Sequence, residues 1–429
     1  MAVAIIGGGW AGLAAALTLA EQQVPVTLFE SAAQLGGRAR RVTIHGLSLD
    51  NGQHILIGAY RETLRLLAQV GIKTDAACYA PPLTLAVAPG FYLQAARLPA
   101  PWHLGIGLLR SKGISLRDKF SAMRFLRALQ RMQFRVDPQL SVSALLSQQG
   151  QSTQLNTFLW RPLCLAALNT PLDSASAQVF INVLRDTFFA TRDASRLLLP
   201  LIDLGALFPD AAARYLGAHG TSVHCNQRIQ GVDLHNHGFT LRHAHGTEFF
   251  SQVICAVPPF RVAPLFERIP ALQPLIDPLS TWRYQPIYTI YLQYDASVRL
   301  AFPMQGLSQT MSQWVFDRGL TGQAGLLAVV ISAQGAHEAL SHTALVQRVR
   351  DELRQTLAIT ATPRWTQVIA EKRATFSCTP NLRRPLNQTP LPGLWLAGDY
   401  TASDYPATLE AAIRSGIHSA HLALSSVGH

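Results

Sequence analysis

Charge is scarce in this chain. Of its 429 residues only 14% are Asp, Glu, Lys or Arg, against a usual share of about a quarter. A chain this apolar either buries a large core or keeps an apolar cavity or patch. Acids are rarer than bases, leaving a net charge of +11, which suits nucleic acid, an anionic membrane surface or an acidic ligand. Lysine is rarer still: Lys73, Lys112, Lys119 and Lys372 are the four present, so arginine carries most of the positive charge. Cysteine pairs are missing. Cys78, Cys164, Cys225, Cys255 and Cys378 stand far apart with no C-x-x-C spacing, so they suggest no metal site and read as buried thiols in a reducing compartment. The long uncharged runs, residues 1–20, 76–96 and 138–160, are interrupted by glycine, proline or polar residues, so none is read as a membrane span, and no signal peptide is read ahead of the first apolar run. The expected location is cytoplasmic, with peripheral contact to the inner face of the cytoplasmic membrane left open. Internal repeats and low-complexity tracts do not stand out.

What is present begins at the N-terminus. Residues 2–6 are an apolar run, followed by Gly7, Gly8, Gly9, Trp10, Ala11 and Gly12. A smooth helical stretch covers 13–21, a second apolar run covers 24–29, and Glu30 closes it. Strand, glycine turn, helix, strand and acid in that order make a dinucleotide-binding unit. Gly7 permits the turn, Gly9 presents no Cβ to a pyrophosphate, and Gly12 lets the helix press on the sheet with its amides towards the phosphates. Glu30, 18 residues beyond Gly12, can accept the hydroxyls of an adenosine ribose. A carboxylate there disfavours a 2′-phosphate, so FAD or NAD is expected rather than NADP.

A second signature lies far downstream. An apolar run at 393–397 breaks at Gly398 and Asp399, which puts a carboxylate at the C-terminal edge of a strand, where open α/β sheets bind ligands. Gly398 allows close backbone approach, and Asp399 suits a ribityl hydroxyl. Pro406 is read as the first residue of a helix over 406–424. The positive end of that helix would stabilise the charge that a flavin gains at N1 and C2=O on accepting hydride. The plain alternative is an N-cap and a turn. With the N-terminal unit, the pair favours FAD.

The length exceeds one core, so two intertwined domains are expected. The pattern predicts an α/β fold with a Rossmann-type FAD-binding domain built from residues 1–75, 205–261 and 371–429. An α+β substrate domain is inserted at 76–204 and 262–370. Strands are expected at 221–225, 229–234, 238–242, 253–257, 287–294 and 326–331, with helices at 203–215 and 342–355. Positive charge is concentrated between His103 and Arg135, where eight bases face only Asp118. Arg124, Arg127, Arg131 and Arg135 fall at helical spacing with Phe120, Met123, Leu126 and Met132 interleaved. That pattern is either a membrane-surface helix or a solvated helix face. No nucleic-acid motif accompanies the charge, so nucleic acid is not expected as a partner.

The Gly7–Gly12 loop, Glu30, Gly36, Gly37, Arg38 and residues 396–410 together resemble the FAD-dependent amine oxidase and phytoene desaturase superfamily. Within it, residues 49–61 (LDNGQHILIGAYR), 313–318 (QWVFDR) and 402–407 (ASDYPA) look like the squalene-associated branch of bacterial hydroxysqualene dehydroxylases. The resemblance spans the chain. It implies that Arg38 contacts the pyrophosphate and that the backbone of Gly52, Gln53 and His54 lies against the isoalloxazine. It also implies that Ile229 holds the adenine through its main chain, and that Thr408 and Leu409 meet the pyrimidine edge. Amine oxidases of the superfamily carry a lysine that bridges through water to flavin N5. None of the four lysines falls at 287–294, so amine oxidation is disfavoured.

The branch implies an isoprenoid alcohol as substrate, hydroxysqualene, whose hydroxyl is replaced by hydrogen in squalene and hopanoid synthesis. The expected route protonates the hydroxyl, passes through an allylic cation and takes hydride from reduced flavin. Candidate acids are His54, Asp50 and Tyr405, in that order. Each has a structural alternative: His54 as a satisfied histidine, Asp50 bracing the turn at Asn51 and Gly52, Tyr405 packing under a helix start. The insert near 80–200 suits an apolar tunnel, and the basic stretch suits entry from an anionic membrane. The rivals are an isoprenoid or carotenoid desaturase, and a lipid carrier without chemistry. Gly105 and Gly107 lack a third glycine, so no second nucleotide unit identifies the electron donor.

Overall fold

The structure, a computed structural model, describes residues 2–426. At its centre is a five-stranded parallel sheet in the order Ser222–His224, Val26–Phe29, Val3–Ile6, Gln252–Cys255, Leu394–Leu396. The middle strand reads as a continuous apolar run because both faces of the sheet are covered: Val3 and Ile5 share a core with helix Trp10–Glu21, Ala4 and Ile6 share one with residues 232–250, and Val3, Ala4 and Ile5 are fully buried. Helix Trp10–Glu21 is buried from Trp10 to Ala20. It packs against the sheet on one side and helix Leu409–Ser425 on the other. The strands thus come from residues 3–29, 222–255 and 394–396.

A mixed seven-stranded sheet forms a second layer, in the order Trp365–Phe376, Tyr284–Gln293, Leu326–Ser332, Trp314–Asp317, Met304–Leu307, Thr84–Ala88, Phe91–Gln94. Strand Trp365–Phe376 is uninterrupted through position 371. We therefore propose that the chain returns to the nucleotide domain after Phe376, since a domain boundary belongs in a linker. A helical body over 102–189 completes the molecule, and its core is shared with the parallel sheet.

The basic stretch is two helices, Trp102–Arg110 and Leu116–Arg131, joined by a tight turn. Lys119 is buried, and its ammonium donates to the carbonyls of Leu109 and Ser111 at 2.9 and 2.6 Å, which fixes the turn. The expected register is corrected in two places. Arg135 lies beyond the helix, in a segment where Gln133 and Phe134 take positive φ. Phe120 is 61% exposed, whereas Met123, Leu126 and Met132 pack on the core. The helix expected over 203–215 also divides, into Leu204–Leu207 and Pro209–Ala218.

Glu410 bolts the C-terminal helix to the body. Its carboxylate is fully buried and accepts from the Glu62 and Thr63 amides at 3.1 and 2.9 Å, the Thr63 hydroxyl at 2.8 Å and Arg414 Nε at 2.7 Å. Replacing it with alanine orphans four donors, so Glu410→Ala should cost on the order of 3 kcal/mol. A lower urea midpoint, with Glu410→Gln intermediate, is the expected result.

Candidate functional site

The glycine turn is held by its neighbours. Gly7 donates to the Phe29 carbonyl at 2.8 Å, and Gly36 donates to the Gly8 carbonyl at 2.9 Å. A Cβ on Gly12 would lie 1.9 Å from the Gly7 carbonyl oxygen, so helix and strand meet backbone to backbone there. A Cβ on Gly9 would find only the Gly37 Cα, at 3.9 Å. The helix that follows has no side-chain cap and no acid in its first turn, so its positive end faces the groove. Trp10 anchors the turn by donating to the Ala39 carbonyl at 3.0 Å, with its ring on Phe208; Ala11 is buried under it. Glu30 accepts from the Gly8 amide at 2.7 Å and the Ala32 amide at 2.8 Å.

Arg38 and Asp399 are 361 positions apart and form an ion pair of 2.6 Å; Arg38 also donates to the Ala374 carbonyl. Among the described residues the buried hydroxyls of Tyr284 and Tyr400 have no hydrogen-bond partner, and both tyrosines lie within the field of this pair. Asn51 ties the Arg38 loop to the His54 loop, accepting from the Arg40 amide at 3.2 Å and donating to the Arg38 carbonyl at 2.6 Å. Gln53 turns its side chain to Arg318, accepting at 3.1 Å. His54 Nδ1 lies 2.7 Å from the Gly52 carbonyl, which can only accept, so Nδ1 carries the proton. Burial lowers the His54 pKa. Across from Gly52 stands Thr289, whose buried hydroxyl has no partner; strand Tyr284–Gln293 has no lysine.

Asp50 is almost fully buried. Its carboxylate accepts from the Leu204 amide at 2.7 Å, its carbonyl accepts from Tyr291 at 2.9 Å, and burial pushes its carboxyl up to about 6. Ile229, also buried, precedes the three-stranded sheet that begins at Gly231. The C-terminal helix begins at Leu409, not Pro406. Thr408 caps it, its hydroxyl accepting from the Ala411 amide at 3.1 Å, because a threonine oxygen satisfies a first-turn amide and proline offers none. Tyr405 lines a cavity of about 220 Å³ with Ala59, Arg61, Asp186, Ala190 and Arg414. Burial pushes the Tyr405 phenol up to about 12, and the Asp186 carboxylate adds to the shift. This cavity is small, and charged or hydroxyl-bearing side chains form most of its lining.

Several contributors carried no local signal. Arg384 donates to the carbonyls of Asp399, Tyr400, Ser403 and Tyr405 and thereby shapes the whole 399–405 loop. Asn387 donates to the Leu396 carbonyl and to the hydroxyls of Ser415 and Ser419, and Gly398 donates to Ser415. Tyr60 places its hydroxyl against Thr408.

An uncapped helix end behind a glycine turn, an acid on the next strand and a second helix end from the C-terminus define a dinucleotide-binding flavoprotein. Over residues 10–424 the chain matches the flavin containing amine oxidoreductases, and it belongs to that family. It is 29% identical over 441 residues to a hydroxysqualene dehydroxylase of Zymomonas mobilis, covering 98% of each chain. It is 23% identical to a 15-cis-phytoene desaturase of Narcissus pseudonarcissus, covering 96% of this chain and 78% of that one. Its fold is similar to that of cyclohexylamine oxidase from Brevibacterium oxydans, with a TM-score of 0.74 at 15% identity over 100% of this chain and 99% of the other. The protein is an FAD-dependent oxidoreductase. The residues present fit that cofactor: open space over Gly9, an uncapped helix end, and unpartnered hydroxyls on Tyr284, Tyr400 and Thr289.

Gly9→Ala and Gly12→Ala separate cofactor binding from folding. Gly9→Ala should leave the apoprotein melting temperature unchanged and weaken FAD on the order of tenfold, about 1.4 kcal/mol, measured by flavin titration. Gly12→Ala should lower the melting temperature as well, because its Cβ meets backbone.

Proposed function

We propose that this protein removes the hydroxyl of hydroxysqualene to give squalene, in squalene and hopanoid synthesis. The near end-to-end match to a dehydroxylase of that name carries the reading. Thr289, rather than a lysine, opposite Gly52 supports it by leaving no cationic side chain on that strand. When bound and reduced, FAD supplies the hydride that replaces the departing hydroxyl; the electron donor that reduces it is left open.

The protein's own part is to bind, orient and protonate. Gly7, Gly9, Trp10, Ala11, Gly12 and Glu30 form the cradle for the adenosine diphosphate half, with Gly37 and Arg38 over it and Ile229 beside the adenine. Gly398, Asp399, Thr408 and Leu409 would hold the ribityl chain and the pyrimidine edge, and the backbone at Gln53 the ring. His54 is proposed as the acid. Its Nδ1 proton is committed to the Gly52 carbonyl, and Nε2 has no hydrogen-bond partner among the described residues, so a second proton held at Nε2 can pass to the hydroxyl and release it as water. Asp50 and Tyr405 are the other candidates: the first already accepts from Leu204, and the second holds its proton at any neutral pH.

Because burial lowers the His54 pKa, the imidazolium population falls as pH rises through a value below the ordinary 6.5. Turnover should therefore decline with rising pH over that range. His54→Gln should keep its flavin and lose about 10²–10⁴ in kcat. A profile flat until strongly alkaline pH would assign the proton to Tyr405, and a break near pH 6 that survives in His54→Gln would assign it to Asp50.

The reaction itself is tested without knowing the donor. Protein reduced anaerobically should be reoxidised by hydroxysqualene, with squalene as product. Reduction of the oxidised flavin by squalene or phytoene, with no reoxidation by the alcohol, would make it a desaturase, the activity named for the plant relative. A colourless protein that takes up no FAD would make it a lipid carrier.

A further inference from the structure

Five large apolar side chains are exposed in one short segment: Leu98, Trp102, Leu109, Leu116 and Phe120, with Trp102 at 69% and Leu116 at 67%. Trp102 and Leu109 are seven residues apart on helix Trp102–Arg110, and Leu116 and Phe120 are four apart on helix Leu116–Arg131. Each pair therefore shares a helix face. The Lys119 ammonium, clamped on the Leu109 and Ser111 carbonyls, brings the end of the first helix to the start of the second. The apolar pairs thus meet at one corner.

The same faces carry positive charge. Beyond Leu116 and Phe120 the exposed stripe continues as Arg124, Arg127 and Arg131, while Arg110, Lys112 and Arg117 surround the turn. Asp118, the one acid between residues 76 and 136, is buried, where it accepts from Ser115. An apolar tip ringed by cations is the pattern of a surface that inserts into the headgroup boundary of an anionic bilayer. A second copy would bring like charges face to face. An acidic protein would complement the arginines but leave an aromatic and aliphatic tip without cause.

The surface is linked to the interior. His103, next to Trp102, is buried with Nε2 3.0 Å from the Ser195 hydroxyl. The adjoining carbonyls of Ala194 and Arg196 accept from the Ala59 and Gly58 amides at 2.9 Å. Ala59 lines the cavity that holds Tyr405.

We propose that the corner formed by Trp102, Leu109, Leu116 and Phe120 docks the protein on an anionic lipid bilayer, so that an apolar substrate enters from the membrane beside the cavity. This rests on the reading of the substrate as a membrane-dissolved isoprenoid. The test is flotation of FAD-loaded protein with vesicles of phosphatidylcholine alone or with added phosphatidylglycerol, at low and high salt. Wild type should float with the anionic vesicles and be released by salt. The triple variant Arg124→Glu, Arg127→Glu, Arg131→Glu should lose about a hundredfold in partitioning. Trp102→Ser with Phe120→Ser should bind more weakly even at low salt. All variants should keep their flavin and their turnover of hydroxysqualene in detergent. Wild type that stays behind with both vesicle types, or variants that float as wild type does, would overturn the docking surface. So would an acidic protein that binds wild type where anionic vesicles do not. Loss of vesicle binding with detergent turnover intact counts against docking alone. Intact vesicle binding with no turnover in detergent counts against the dehydroxylase reading alone.

Discussion

The structure depends on how closely one helix is allowed to approach. Trp10–Glu21 is sandwiched between the parallel sheet and the C-terminal helix, and at both contacts a side chain would collide with main chain. A Cβ on Gly12 would reach the Gly7 carbonyl at 1.9 Å, and one on Gly416 would reach the Ala11 carbonyl at 2.1 Å. Close packing fixes this helix in space as dense interiors do, and its uncapped end is thereby fixed over the strand edge. The same contact sets where helix Leu409–Ser425 runs, and so where Thr408 is presented. Two helix ends from opposite halves of the chain, both proposed to face the flavin, are positioned by one layer of glycine and alanine.

Around that layer, polar groups do the fine placement. Asn51, Arg384, Asn387 and Glu410 each use a single side chain to gather several backbone groups from distant segments. Such groups are costly to bury unless all their partners are present, so each network enforces one arrangement of its loop. Arg384 is the clearest case. Four carbonyls between Asp399 and Tyr405 converge on one guanidinium, which holds an irregular loop with no regular ladder of its own.

This division explains what could be read from the residues alone. The Gly7–Gly12 turn, the strand before it and Glu30 were legible because every requirement there is local, a fixed spacing of residue types with one geometric solution. The partner strands of the central sheet were legible as apolar runs, though their order was not. Arg384 and Asp186 carried no signal, and Asn51 and Tyr60 lay in a quoted run that does not show what they touch, since nothing near them in sequence marks a side chain that will serve loops far away. The misplaced helix start at Pro406 has a similar origin: proline is permitted in a first turn, but the threonine two residues on can satisfy an amide, and satisfaction wins. Phe120 was read with Met123, Leu126 and Met132 as one of the apolar residues interleaved with the arginines. Helical spacing assigns it to the arginine face, and the exposed face is where it lies.

That face also bears on how a chain so poor in charge can carry a net +11. Its bases are not spread as a solvating shell. In the helical body they are gathered where apolar side chains remain uncovered, and acids are withheld from the same stretch. Elsewhere several cations are matched by acids: Arg38 by Asp399, Arg41 by Asp203 and Asp210, Arg414 by Glu410. Those pairs neutralise one another within the fold and contribute little to its outer field. The uncompensated arginines of helix Leu116–Arg131 therefore dominate the potential of that face, and they do so beside the segment that is linked to the cavity through His103 and Ser195. Charge scarcity and charge concentration thus go together: an apolar interior leaves few ionisable positions, and one 33-residue stretch gathers eight bases against the single buried acid Asp118.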